Sequence, residues 1–158
     1  MTKLKNIRIL IISILCAISL LLGGCTDSSP SFSPDKGSSI TAPSGYGLAV
    51  HFIDVGQGDS LLAGSDGHYM LIDAGENDQA DTVVSYLKQA GVTSLDYVIG
   101  THPHSDHIGG LDKVIDTFPV DKVILPPVEH TTKTFEDVLD SIASRGLKIT
   151  KPTPGDSY

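Results

Sequence analysis

Three of the six histidines of this 158-residue chain fall within one short stretch, THPHSDHIGG, at residues 101–110. Crowded imidazoles repel one another when protonated and compete for partners when buried. A divalent cation removes both difficulties, because it takes neutral imidazole as a ligand. His102 and His104 stand two apart, so an extended backbone aims both side chains the same way. Asp106 and His107 follow a bend and can serve a second ion close by. Nitrogen and carboxylate donors without sulfur suit zinc, with manganese or iron as alternatives. The competing reading is a solvated polar loop, and the number of ligand-type residues at ligand spacing weighs against it. His51, His68 and His130 lack such spacing and read as ordinary polar or core residues.

Sulfur is excluded by where the two cysteines lie. Cys16 sits in the apolar run from Ile9 to Leu22, behind Lys3, Lys5 and Arg8. A basic start, an apolar run of this length and small residues after it read as a secretory signal over residues 1–24 rather than a membrane span, with a short uncleaved anchor helix as the alternative. LLGGC then puts Leu22, Gly23 and Gly24 directly before Cys25, and this resembles the lipobox of bacterial lipoproteins. The resemblance implies that Cys25 is acylated and becomes the first mature residue. The acyl chains would then hold the protein on the extracytoplasmic face of the cell membrane. No thiol is left in the mature domain for a disulfide, a nucleophile or a metal. Net charge is −8, and it becomes more negative once the three signal cations are gone. Such a surface repels phosphate backbones and weighs against nucleic-acid binding unaided by metal.

The elements that must position the histidine loop begin after a serine- and proline-rich segment, residues 25–45, which buries too little to order itself and reads as a tether. Residues 46–158 form the expected domain. Leu48, Val50 and Phe52 alternate with Ala49, His51 and Ile53, the period of a strand. GQGDS supplies a turn, and LLAG and HYMLIDAG give two further strands across SDG. Val83, Val84, Leu87 and Ala90 lie at helical spacing, with Gly91 as a stop. LDYVIGTH is a buried strand leading straight into the histidines. Ile108, Leu111, Val114, Ile115 and Phe118 make the stripe of a second helix, DKVILP a strand, and Phe135, Val138, Leu139 and Ile142 a third helix before the strand LKIT. Strands that pair locally and then alternate with helices make a layered α/β fold.

HPHSDH resembles the H-x-H-x-D-H signature of the metallo-β-lactamase fold hydrolases. Around it, FIDVGQGDS at 52–60 and LIDAG at 71–75 occur in the order found in the hydrolase domain of the ComEC family of DNA-uptake proteins. The resemblance implies an αββα sandwich of which this chain carries the first half only. It implies two divalent ions, His102 and His104 on one and Asp106 and His107 on the other. Asp106 and Asp73 would be the catalytic carboxylates, with Asp73 orienting a ligating imidazole from behind. For Asp73 a turn-forming role before Gly75 is the alternative, and Asp54 and Asp59 read equally well as hairpin chemistry. The family's later histidines and bridging aspartate have no matching motif here. Two ligands per ion are therefore expected, with loose binding and little activity from this chain.

The implied function is a membrane-anchored hydrolase that attacks a phosphodiester, nucleic acid included, with metal-activated hydroxide. Another ester or a β-lactam is the alternative substrate, and a non-catalytic surface lipoprotein with a half metal site is the alternative class. No protein partner is expected. The anchor is tested by Cys25→Ala, which should abolish fatty-acid labelling and leave a longer, unprocessed precursor on a gel. Normal labelling and cleavage of that variant would contradict the lipoprotein reading.

Overall fold

Leu62, Leu71, Val98 and Val123 stand side by side on four neighbouring strands, and solvent reaches almost none of them. They are the helix-facing row of a six-stranded sheet in a computed structural model that describes residues 47–157. The expected signal (1–24), the expected acylation at Cys25 and the expected tether (25–45) lie outside the described residues. Among the described residues, no helix is long and apolar enough to cross a membrane.

The strands are β1 (Ala49–Phe52), β2 (Leu61–Ser65), β3 (His68–Ile72), β4 (Leu95–Ile99), β5 (Val120–Ile124) and β6 (Ile149–Thr150), and they lie in the sheet in chain order. β1, β2 and β3 pair antiparallel, and β3 to β6 pair parallel. Parallel neighbours need crossovers, which helices supply. These are α1 (Ala80–Gln89) after β3, α2 (Ser105–Ile108) and α3 (Leu111–Thr117) after β4, and α4 (Lys133–Ser144) after β5. α3 packs against both α1 and α4, so the helices form one layer. Most of the expected stripes are buried: Val83, Val84 and Leu87 from α1, Leu111, Val114 and Ile115 from α3, Val138 and Ile142 from α4, while Ala90, Phe135 and Leu139 are partly buried. His51 also faces this layer and meets the Tyr86 hydroxyl of α1 at 3.0 Å.

The fold is thus the mixed α/β arrangement that the hydrophobic periods imply, with three local differences. β1 is shorter than the alternation of 46–55 suggests. Its apolar residues Val50 and Phe52, with Leu48 just before it, are exposed, on the sheet face that carries no helix among the described residues. β6 is only two residues long. The helix expected from Ile108 onward instead starts within the histidine motif, at Ser105, and is interrupted at Gly109–Gly110. The cause is packing: a Cβ on Gly109 would lie 2.3 Å from the Asn77 nitrogen, and one on Gly110 2.6 Å from the Ala74 oxygen. Only glycine lets the two loops approach this closely.

At the opposite end of the sheet from the histidine loop, Asp96 of β4 holds the start of β3. One carboxylate oxygen accepts from Tyr69 N at 2.7 Å, and the other lies 2.9 Å from His68 Nδ1. The hydrogen bond to Asp96 raises the His68 pKa above its ordinary 6.5, and the same bond lowers that of Asp96 below 3.8. A raised histidine pKa stabilises the fold below the unfolded value and ceases to do so as pH rises through the folded one; a lowered aspartate pKa stabilises above the unfolded value and fails as pH falls through the folded one. Both contributions are present between 3.8 and 6.5. His68→Gln should therefore lower the thermal midpoint at about pH 5 and leave it almost unchanged at about pH 9. Equal losses in melts at both pH values would assign the effect to packing.

Candidate metal centre

β3 and β4 run parallel, so both deliver their C-terminal ends to one edge of the sheet. Ligand sites of open α/β sheets gather at this edge. Asp73 follows β3 directly, and its backbone N–H extends the ladder to Ile99 O at 2.8 Å. Its φ is 57°, in the left-handed region that a residue with a Cβ rarely adopts. The side chain is 2% exposed. A carboxylate so deeply buried needs donors, because desolvation of an unpaired charge is worth several kcal/mol.

Three donors meet it. Thr101, which follows β4, gives its backbone N–H to Oδ1 at 2.8 Å and its hydroxyl to Oδ2 at 2.6 Å. His107 Nδ1 lies 2.9 Å from the same Oδ2. An ionised carboxylate only accepts, so the imidazole donates there and His107 Nε2 is left with its lone pair. The Thr101 hydroxyl has spent its one proton on Asp73 and can only accept from His102 Nδ1, 3.1 Å away. His102 is thereby fixed in the same tautomer, again with Nε2 as the free base. One buried carboxylate, partly through one threonine, leaves two imidazoles with a free Nε2.

The rings of His102 and His107 lie with centroids 3.9 Å apart, and that of His104 stands edge-on to His102 at 4.9 Å. Donor atoms of His102, His104 and Asp106 all fall within 4.8 Å of one another. The spacing argument divides the four ligands two and two. In the structure Asp106 joins the histidine pair, and its Oδ2 also lies 3.8 Å from His107 Nε2. Asp106 thus stands close to both His107 and the histidine pair, on the turn of helix beginning at Ser105. Two neutral nitrogens and a carboxylate fit zinc, manganese or iron, and three protein donors with an open position are what a catalytic zinc site requires.

The GQGD loop forms the floor. Asp59 N donates to Asp106 O at 3.2 Å, and Gly75 N donates to Asp59 O at 3.0 Å. Gly58, at φ +95°, passes so near that a Cβ would lie 1.8 Å from Asp106 O. Asp59 thus acts mainly through its backbone, its carboxylate standing 3.7 Å from His107 Nδ1. Asp54 accepts from Gly56 N at 3.1 Å, which is the turn chemistry allowed for it. Two neighbours of the cluster carry no signal of their own in the sequence. Thr101 was visible only as the residue before the first histidine, and His130, set aside for want of ligand spacing, has its ring centroid 5.7 Å from that of His104.

Residues 53–157 match the family described as the Metallo-beta-lactamase superfamily. Hydroxyacylglutathione hydrolase of Aliivibrio salmonicida is 38% identical over 69 residues, 44% of this chain and 26% of that protein. ComE operon protein 3 of Bacillus subtilis is 26% identical over 125 residues, 68% of this chain and 16% of that protein. Among solved structures, a motif mutant of a metallo-beta-lactamase from Cronobacter sakazakii superposes with a TM-score of 0.45 at 24% identity, covering 49% of this chain and 31% of that one. The chain spans about a quarter or less of the length of these two curated relatives.

The floor is tested by comparing two glycines. Gly56, at φ +70°, has open space where a Cβ would stand, so Gly56→Ala should cost only the left-handed backbone, about 1–2 kcal/mol. Gly58→Ala adds a clash with the metal loop and should cost about 1–3 kcal/mol more in urea unfolding. Equal losses for the two variants would mean that the GQGD loop does not support Asp106.

Proposed function

The chain belongs to the metallo-beta-lactamase superfamily, and on that premise we propose that it is a metal-dependent hydrolase whose centre is built from His102, His104, Asp106 and His107. The observation that carries the reading is the Asp73–Thr101 network, which leaves His102 and His107 with Nε2 lone pairs beside a cluster of compatible donors. His102, His104 and Asp106 would hold one ion, and His107, with Asp106 shared, stands where it can serve a second. A divalent ion so held supplies Lewis acidity, which acidifies water and polarises the oxygens of an ester. The residues do the rest. Asp73 keeps two imidazoles in one tautomer, the GQGD loop fixes Asp106, and the exposed edge of His104 leaves the cluster open to a substrate.

Phosphodiesters are the substrate class we favour. The support is the run of motifs shared with ComEC-like proteins, which are also represented by the 125-residue similarity to ComE operon protein 3. The net charge of −8 favours a small phosphodiester over a long polyanion. A thioester is the second reading, supported by the similarity to hydroxyacylglutathione hydrolases. We also propose that Cys25 tethers the domain to the extracytoplasmic membrane face, on the strength of LLGGC behind a basic and apolar segment.

The test is zinc content after dialysis, measured beside turnover of a nitrophenyl phosphodiester and of a glutathione thioester. The three-donor cluster leads us to expect at least one zinc per chain, and His104→Ala should weaken binding by about 100-fold or more because it removes a direct ligand. A chain that takes up no zinc, or a His104→Ala variant that binds as well as the original, would contradict the metal centre. Thioester turnover without phosphodiester turnover would leave the centre standing and reverse the substrate assignment.

A further inference from the structure

Beside His104, the loop between β5 and α4 brings in His130. Its half-buried ring meets His104 edge-on with centroids 5.7 Å apart and Phe135 edge-on at 6.4 Å. The ring is anchored through Thr132, the N-cap of α4. The Thr132 hydroxyl oxygen accepts from Phe135 N at 3.4 Å and lies 3.0 Å from His130 Nδ1. α4 is itself pinned by buried Val138 and Ile142, and the Thr134 hydroxyl near its start donates to Asn77 Oδ1 at 3.0 Å.

A capping hydroxyl uses one lone pair on the helix N–H and keeps its proton, which it can give to the imidazole. With that proton given to His130 Nδ1, Nε2 carries the hydrogen. Such an arrangement is the reverse of His102 and His107, which turn lone pairs toward the cluster. It would bring a hydrogen-bond donor to the rim of a site whose imidazoles at 102 and 107 are bases. His130 is not one of the three residues whose donor atoms gather within 4.8 Å of one another, and its ring borders that group through His104.

We propose that His130 is a substrate-positioning residue whose Nε2–H donates a hydrogen bond to an ester or phosphoester oxygen seated over His102, His104 and Asp106. The role rests on the metal-hydrolase reading, and it gives Thr132 a purpose beyond capping its helix.

The test needs no turnover. The full chain is loaded with cobalt(II), and inorganic phosphate is titrated against its visible absorption. His130→Ala should leave cobalt affinity within about twofold and weaken phosphate binding about tenfold or more, the effect of one hydrogen bond to an anion. His130→Gln, which keeps an N–H at similar reach, should restore most of the loss. Unchanged phosphate affinity in His130→Ala overturns the proposal, as does an unsubstituted cobalt-loaded chain that binds no phosphate. A collapse of cobalt affinity in His130→Ala also overturns it, by making His130 a ligand. Failure of the unsubstituted chain to take up cobalt is a different result, because it removes the metal centre itself and this role with it.

Discussion

A buried carboxylate that has lost its water must be given other donors, and the arrangement around Asp73 answers that single requirement. The residue sits at the end of β3 with a left-handed backbone, a conformation worth about 1–2 kcal/mol against an L-residue. It is held there by a backbone N–H, a hydroxyl and an imidazole drawn from the loop that follows β4. The parallel pairing of β3 with β4 is what brings these partners to the same edge. Register, backbone strain and burial therefore converge on one side chain. A partner removed there would strand a charge that the sheet has no means of solvating.

From that anchor the chemistry follows by proton counting. A carboxylate accepts, a hydroxyl has one proton to give, and each neutral imidazole has one nitrogen of each kind. Working outward from Asp73 fixes His107 directly and His102 through Thr101. Both turn a base toward the space that Asp106 and His104 also face. The glycines at 58, 109 and 110 serve the same end by size, letting three loops lie close enough to hold Asp106 from below. His130, beside His104, is tied to the cap of α4 through Thr132. The family to which the chain belongs is in this sense a consequence of an arrangement that can be built residue by residue.

Much of this was legible in the sequence because the responsible signals are local. The spacing of His102, His104, Asp106 and His107 needs no tertiary information, and the helical stripes from Val83 to Ile142 are mostly buried because period alone selects a face. Thr101 and His130 were not legible, since each acts through a partner distant in sequence or across a loop, and neither has a distinctive residue type or spacing. The place of Asp106 beside His102 and His104 escaped for a related reason. An extended loop and a helical turn place the same four residues differently, and the turn begins at Ser105, with Gly109 and Gly110 docked on Asn77 and Ala74. The exposed apolar side chains of β1 show the other limit: alternation reveals that a strand has an apolar face, but not what covers it.

The claim that Asp73 organises the centre reduces to where two protons reside. Long-range proton–nitrogen correlation spectra of the metal-free, nitrogen-15-labelled protein report this directly, because protonated and bare imidazole nitrogens resonate far apart. The predicted result is that His102 and His107 both carry hydrogen on Nδ1 and are bare at Nε2. Finding His107 protonated on Nε2 and bare at Nδ1 would contradict the account at its root.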